Sequence, residues 1–546
     1  MEYLSHPLGG VLCSQLSCLQ EPVTELPEID IMDPLICPRT ATVQELARIV
    51  LEEGVVHVRG TPTSGKTTLA LLLHKYNTDN DVKSVYIRQW SPMKSIEHFG
   101  TYHLVWHARA AGFTSVSYDN FESQDITFIL DNAQTSYKDD QLWLGPLKDQ
   151  NNNCRQFGPR FCLFMSYGSP TEGPDDPSPN SIRSGIKILQ RVSITVSRLE
   201  NSPQISLFFT REEFDDVLQR KRCDQKRPVP LDSNAADYLF HLTNGHPGAV
   251  EAVLAMIHKA HQSDLLHRVI PEVTKDHILE ILDDEKRSFR FLLETPFERS
   301  LPKRSNVNAN AANILRQVLK NGSIERDLEN PGIKECYQRG WLHSEIVDEE
   351  TEEIVCVFPT RLHAKYVEQY MTRSLTRFPK RKFPTVEALA EAVLREFSPR
   401  NLSLETRLGT GAVVRPVEAC YQDEFYRCLH QVLGFASHVY SEWSGDGDGR
   451  IDFRITDVAW GIEILRDGDR LDAHCSRFVK NGSYTGWIRK GWLKDWLIID
   501  CRSSTPRAYK DPNTKLWRAI FADDYTSIEV RNASNNVIIP RFPLMN

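Results

Sequence analysis

No CxxC pair occurs among the twelve cysteines of this 546-residue chain, so a zinc site is not expected. Several thiols sit inside apolar strand-like runs (Cys162, Cys356, Cys501), which reads as buried reduced cysteine rather than a disulfide framework. That usage points to an intracellular protein. Long apolar runs are missing as well: none approaches the ~18 residues a membrane helix needs. The opening MEYLSHPLGGVLCSQLSCLQEP lacks a basic start followed by a sustained apolar stretch, so no secretory signal is expected. An excess of cations is also absent. The formal charge of −8 argues against a chain that binds nucleic acid over its whole surface.

What is present is the composition of a soluble globular protein, 40% hydrophobic and 25% charged, long enough for about three or four domains. The charge is uneven. From His474 to Arg518 there are ten cations (Arg477, Lys480, Arg489, Lys490, Lys494, Arg502, Arg507, Lys510, Lys515, Arg518) against Asp495, Asp500 and Asp511, a local net of +7. Such a run is either a solvated basic face or a phosphate-backbone contact.

The segment GVVHVRGTPTSGKTTLALLLHKY matches GxxxxGK[ST] in full, with Gly60, Gly65, Lys66 and Thr67 followed by Thr68. A β-branched run precedes it and an apolar-periodic helix follows, the context in which backbone amides wrap phosphates. Lys66 then neutralises the β/γ oxygens and Thr67 ligates Mg2+. The second metal-side acid is Asp131, at the end of the apolar strand in DITFILDNAQ. The next residue is Asn132, where hydrolysing relatives carry a glutamate. It cannot act as a base, so ATP and Mg2+ binding are expected but fast hydrolysis is not. Strands are expected at 84–90, 160–169 and 205–210, with Ser166 and Tyr167 placed as γ-phosphate sensors, and 169–185 as an exposed insertion. Gly245, His246 and Pro247 open a helix in HLTNGHPGAV and resemble the GxP turn of STAND and AAA-like ATPases, in which that turn sets a helical lid on the nucleotide.

Residues 305–370 read as helix, helix and hairpin, a small winged-helix-like unit in a structural role. TRFPKRKFPT, with Arg377, Lys380, Arg381 and Lys382, reads as a linker and resembles a short nuclear import signal. Beyond it, GRIDFRITDVAWGIEILRDGDR forms two strands, each with one acid among apolar residues: Asp452 and Glu463. Acids are kept in such strands when they pair or hold a metal, and the residues alone leave an acidic hairpin and a metal site equally open. Helix, hairpin, helix, strand is the core order of the PD-(D/E)xK restriction-endonuclease superfamily. Its lysine two residues past the second acid is replaced here by Leu465. Arg466 could substitute only through a bulge or at the strand end, and His474 and Arg477, one helical turn apart, could reach the site from the next helix.

GRIDF, WGIEILRDG with H–x–x–RF, and WLIIDCR resemble the C-terminal region of Crinkler-family effectors and related eukaryotic proteins, with the ATPase in the same order before it. The resemblance spans roughly residues 40 to 540. It implies an α/β multidomain chain: an N-terminal segment of unknown role (1–40), a P-loop parallel α/β core (41–235), a helical lid (236–300), a winged-helix-like unit (301–375), a basic linker (376–384) and a restriction-endonuclease-like α/β domain (385–546). It also implies that Asp452 and Glu463 ligate Mg2+, that Glu424 is the helical acid of the site, and that His474, Arg477 and Arg466 serve phosphate or water. The function implied is a nucleotide-regulated, Mg2+-dependent endonuclease acting on double-stranded DNA in the nucleus or cytoplasm, with a homo-oligomer left open and no membrane partner. Residues 1–40 do not resemble the LFLAK header of many Crinklers, so translocation into another cell is unsupported. The alternative is a catalytically weak STAND-like ATP-binding switch whose degenerate nuclease fold binds DNA or protein.

Overall fold

A computed structural model describes residues 29–91, 99–153, 158–166, 186–196, 202–283, 285–348, 353–371, 378–402, 417–433, 439–443, 450–522 and 525–544. The chain divides into two compact units at Arg220. Tyr167, the 169–185 insertion, Arg377 and the N-terminal 28 residues lie outside the described residues.

The first unit is a five-stranded parallel sheet in the order β2-β3-β4-β1-β5. Helix α1 (Thr40–Glu53) leads into β1 (Val55–Arg59), which is followed by α2 (Lys66–Asp79), β2 (Ser84–Ile87), α3 (Phe99–Ala110), β3 (Thr127–Leu130), β4 (Arg160–Met165) and β5 (Arg191–Val192). Strands β3 and β4 are buried along their whole length, as expected of a parallel sheet covered on both faces. Helix α4 (Arg211–Arg222) closes the unit.

The strand expected at 205–210 does not form; the fifth strand is the shorter Arg191–Val192. The reason is a side chain. Arg39, 4% exposed, donates to the carbonyls of Leu207 (2.9 Å), Ser206 (2.9 Å) and Phe208 (3.1 Å), while its Nε bonds Glu213 at 3.0 Å. Those carbonyls are thereby taken from any ladder. The segment keeps only the Leu207 and Phe208 amides, bonded to Ser193 and Ile194.

The second unit begins with helices α5 (Ser233–Thr243), α6 (Pro247–Leu266), α7 (Lys275–Asp283) and α8 (Glu285–Leu292). Next come α9 (Ala309–Asn321), β6 (Ile324–Glu325), α10 (Pro331–Gln338) and the hairpin β7 (His343–Asp348) with β8 (Glu353–Val357), paired as β6-β8-β7. Helix α11 (Arg361–Met371) follows, then α12 (Val386–Arg395), the single turn α13 (Pro399–Leu402) and α14 (Val417–Leu433). The basic linker is not a spacer between independent bodies. Phe378 and Phe383 are buried in the C-terminal core, Phe378 edge-on to Trp460 at 5.2 Å, while Lys380, Arg381 and Lys382 stay exposed. Helix α11 also reaches α14: Arg361 pairs with Asp423 at 3.1 Å, and Glu368 with His430 at 2.9 Å and with the Tyr426 hydroxyl.

The C-terminal sheet has seven strands in sequential order, β9 (Val439–Trp443), β10 (Ile451–Ile455), β11 (Trp460–Arg466), β12 (Asp495–Arg502), β13 (Leu516–Phe521), β14 (Ser527–Asn532) and β15 (Val537–Pro543). The first three form an antiparallel meander; β11, β12 and β13 run parallel; the last pairs are antiparallel. Between β11 and β12 lie α15 (Leu471–Arg477) and α16 (Thr485–Arg489). Alternation divides β11 between two cores. Ile462 and Ile464 pack with α12 and α14, whereas Leu465 packs with Cys475, Phe478 and Tyr484 on the opposite face.

Candidate functional site

Two constellations carry the residues singled out above, one in each unit. In the first, β1 ends at Arg59 and the chain turns through Gly60–Gly65 into α2. Gly65 sits at φ +86°, and a Cβ at Gly60 would lie 2.2 Å from Leu207 Cδ2, so neither position accepts a side chain without displacement. The Lys66 ammonium bonds the carbonyls of Gly60 (2.9 Å) and Thr61 (2.6 Å) and the Ser64 hydroxyl (3.3 Å), which holds it inside the loop. Thr67 Oγ1 donates to Asp131 Oδ2 at 2.7 Å. A hydroxyl and a buried carboxylate that converge at hydrogen-bond distance are the donor pair a nucleotide-bound Mg2+ requires. The residues fit that ion, and Thr68 follows in the same helical turn.

Sequence reasoning missed Tyr86, whose hydroxyl donates to Asp131 Oδ2 at 3.0 Å. Burial first, and then the Asp131 charge, push that phenol above its ordinary range. Nothing in the run SVYIRQW distinguishes this tyrosine from a core residue. Asn132 has a left-handed backbone, φ +51°, and its amide nitrogen lies 3.3 Å from the Arg88 carbonyl. Gln134 bridges the ends of β3 and β4, accepting from the Ser166 amide at 3.3 Å. Pro247 belongs to the second unit, as the first residue of α6. There His246 caps the helix through Nδ1 and packs edge-on to Phe297 at 5.5 Å.

The second constellation lies on the C-terminal sheet. Asp452 Oδ2 accepts from the Ile464 amide at 2.7 Å, which sets its carboxylate beside Glu463 across the β10–β11 pair. Glu463, 1% exposed, accepts from the Tyr484 hydroxyl at 2.5 Å, from Arg477 Nη1 at 3.3 Å and from His474 Nδ1. The one-turn spacing of His474 and Arg477 on α15 brings both to the acid, as that spacing predicts. Burial and the Glu463 charge hold Tyr484 above its usual range. Burial opposes the Arg477 charge, and Glu463 and Tyr484 together outweigh it.

Two expected members lie elsewhere. Glu424, 3% exposed, faces the α12–α13 corner, where it accepts from Arg427 (2.6 and 2.8 Å), the Ser398 amide (2.7 Å) and Asn401 (2.9 Å). Helix α14 packs on the face carrying Ile462 and Ile464, across the sheet from Glu463. Arg466 is exposed and pairs with its neighbour Asp467 at 3.2 Å; the β11–β12 register runs unbroken through it, so no bulge turns it toward Glu463. Leu465, 0% exposed, lies opposite a further buried acid, Asp500, which bonds Arg502 and the Gly468 amide, each at 2.8 Å. An acid in the middle of WLIIDCR was the available signal for it.

The acid pair in this arrangement does not fit a divalent cation. Glu463 is occupied by three donors, the Arg477 guanidinium among them, Asp452 Oδ2 is occupied by a backbone amide, and the described residues contain no group of three or more His, Cys, Asp or Glu placed to hold a metal. The basic run is presented to solvent: Lys480, Arg489, Lys490, Lys494, Arg507, Lys510 and Lys515 are exposed, while Arg518 is buried.

No protein-family model and no curated protein matches this chain. Among solved structures it is similar to the Walker-type ATPase of Pyrococcus abyssi, at 12% identity over 61% of this chain and 96% of that one, with a TM-score of 0.33. It is similar also to the RuvB Holliday junction branch migration motor of Thermotoga maritima, at 13% identity over 62% and 95% and a TM-score of 0.29. The structure of Drosophila ORC bound to DNA gives 10% identity over 65% and 97%, also at 0.29. Likenesses this low bear no weight. The assignment of the first unit as a P-loop ATPase fold rests on its own geometry: a parallel sheet, the phosphate loop between β1 and α2, and the Thr67–Asp131 pair at the end of β3, which β4 separates from β1. Among the described residues no helix is long and apolar enough to cross a membrane.

Proposed function

We propose that this chain is an ATP- and Mg2+-binding switch whose nucleotide state governs how its C-terminal domain engages DNA. The observation that carries the reading is the Thr67–Asp131 contact beneath a complete phosphate loop, combined with Asn132 in place of a hydrolytic base. Such a site holds nucleotide and turns it over slowly, which suits a switch better than a motor. The DNA side is supported by the exposed cations of the 474–518 region. The meander, helices and parallel strand follow the order expected of a restriction-endonuclease-like core, and the helix, strand, helix and hairpin before them follow that of a winged-helix unit. When bound, Mg2+ offsets charge on the nucleotide phosphates. Lys66 neutralises their oxygens, the loop amides orient them, and Thr67 with Asp131 fixes the ion.

A second reading, the Crinkler-type endonuclease, is favoured by one observation: two strand acids side by side, Asp452 and Glu463. It requires Tyr484 and Arg477 to release Glu463 before the pair could serve a metal. One experiment separates the two. Supercoiled plasmid is incubated with the protein in Mg2+ or EDTA, with and without ATP, and both nicking and DNA retention are read. The switch predicts ATP-dependent retention, lost in Lys66→Ala, without nicking. Metal-dependent nicking abolished by Asp452→Asn would establish the endonuclease instead. Retention indifferent to ATP and to Lys66→Ala would refute the switch.

A further inference from the structure

Arg454 lies in β10 opposite Gly461 of β11. Gly461, Glu463 and Leu465 alternate onto one face of the sheet, so Arg454 shares the face of the acid cluster. Its guanidinium is laid over the Trp443 ring at 4.3 Å, and its Nε donates to the Trp492 carbonyl at 3.0 Å. Trp443 is in turn edge-packed by Trp487 at 4.8 Å, and Lys490 stands over Trp492 at 4.6 Å. Arg454 is half-buried, yet among the described residues no carboxylate lies within ion-pair distance and its two terminal nitrogens have no hydrogen-bond partner. Burial accordingly holds it below the ordinary arginine range, opposed only by Tyr440.

A half-buried guanidinium without an acid is costly to keep. It is here fixed in orientation by a stack on one face and a hydrogen bond at one edge, which leaves the terminal edge as a preorganised two-pronged donor. That geometry matches the paired oxygens of a phosphodiester. Resting on the reading that the C-terminal domain engages DNA, we propose that Arg454, with Lys490 beside it, is a phosphate fork gripping the DNA backbone about 7 Å along the sheet face from Glu463. The fork supplies from β10 a cation that Leu465 cannot supply from β11.

The test is fluorescence polarisation of a labelled DNA duplex with full-length protein across a salt series, in ATP with Mg2+ and, in parallel, without nucleotide. The expected result is that Arg454→Gln weakens binding about tenfold at moderate salt and lowers the slope of log affinity against log salt by about one. Arg454→Lys keeps the slope but loses part of the affinity, because an ammonium cannot fork. Arg395→Gln removes a guanidinium stacked over Phe542 at 4.3 Å but paired with Glu391, and leaves the slope unaltered. Near-ultraviolet circular dichroism of the tryptophan cluster checks that Arg454→Gln is folded. Unchanged slope and affinity in folded Arg454→Gln, or no binding by the wild type, would overturn the proposal. Loss of ATP dependence with the Arg454 effect intact would overturn the switch and spare the fork.

Discussion

Replacing Glu424 with glutamine separates a structural carboxylate from a catalytic one. Glu424 is 3% exposed and receives four donors: Arg427 Nη2 at 2.6 Å and Nε at 2.8 Å, the Ser398 amide at 2.7 Å and Asn401 Nδ2 at 2.9 Å. Glutamine keeps one acceptor oxygen, loses the charge, and turns an NH2 toward groups that are themselves donors. Removing one partner of a buried ion pair costs about 3–5 kcal/mol. The Arg427 side chain is 17% exposed, so the lower end applies, about 3 kcal/mol, or roughly 100-fold in an opening equilibrium. The assay is native-state hydrogen exchange of the amides of α14 in the full chain, which reads local opening where a single global unfolding energy would be ill-defined. Protection across α14 should fall by about two orders of magnitude in Glu424→Gln. It should recover substantially in Glu424→Met/Arg427→Met, where both charges leave together. Unchanged protection in Glu424→Gln, with loss of DNA binding or cleavage, would refute the structural assignment and return this acid to the functional site.

Three further outcomes are expected. Lys66→Ala lowers ATP affinity by roughly 10- to 100-fold in titration calorimetry, the worth of a charge-assisted contact to phosphate, and Thr67→Ala abolishes the Mg2+ enhancement of that affinity; equal binding with and without Mg2+ in the wild type would contradict the Thr67–Asp131 site. Arg39→Leu removes the guanidinium donors from the carbonyls of residues 206–208, leaving Phe208 only the Ser206 hydroxyl, and should cost about 3–5 kcal/mol, seen as rapid proteolysis at 202–210; resistance equal to wild type would show that another group holds this segment. Burial pushes His103 down to about 3 and His107 to about 4, so the unfolded chain takes up protons first as pH falls. Their contribution is complete above about pH 6.5, and at pH 5 the loss is on the order of 2 kcal/mol per histidine. The thermal midpoint read by tryptophan fluorescence should therefore fall from pH 7 to pH 5, and less so in His103→Phe/His107→Leu; an identical fall in that variant would rule the pair out.

The phosphate loop was legible because its chemistry is local: six residues of backbone between a strand and a helix define the site. The same holds for His474 and Arg477, whose helical spacing forces a shared face. What failed was non-local or ambiguous. The 205–210 run has strand composition, but its carbonyls are claimed by Arg39, 168 positions away from Leu207, and no periodicity reports that. Glu424 was misplaced although its partner stood three residues on, in EFYR; an i,i+3 acid–base pair within one helix was the simpler reading. Tyr86 and Asp500 sit in apolar strands whose neighbours are fixed only by sheet order. The last strand, β15, contains Pro540 and Pro543 and is exposed along most of its length, which is tolerable only at a sheet edge.

The missing lysine of the β10–β11 pair has a packing cause, and it can be tested directly. Position 465 is 0% exposed and lies beneath α15, against Cys475 and Phe478. The nearest acid across the sheet, Asp500, is already bonded to Arg502 and Gly468. A lysine at 465 would bury an ammonium beside two acids, Asp500 and Glu463, that already hold donors of their own, at a cost of several kcal/mol. Cations reach this face from other elements instead: Arg477 from α15, Arg454 from β10, and Arg502, beside Asp500, from β12. Leu465→Lys should not create a Mg2+-dependent nuclease; it should lower the thermal midpoint and loosen α15, read as faster exchange across residues 471–477. If the variant instead gained Mg2+-dependent nicking at unchanged stability, α15 would have to stand away from β11, and the closed Glu463 cluster would be a resting form of an active site rather than a structural one.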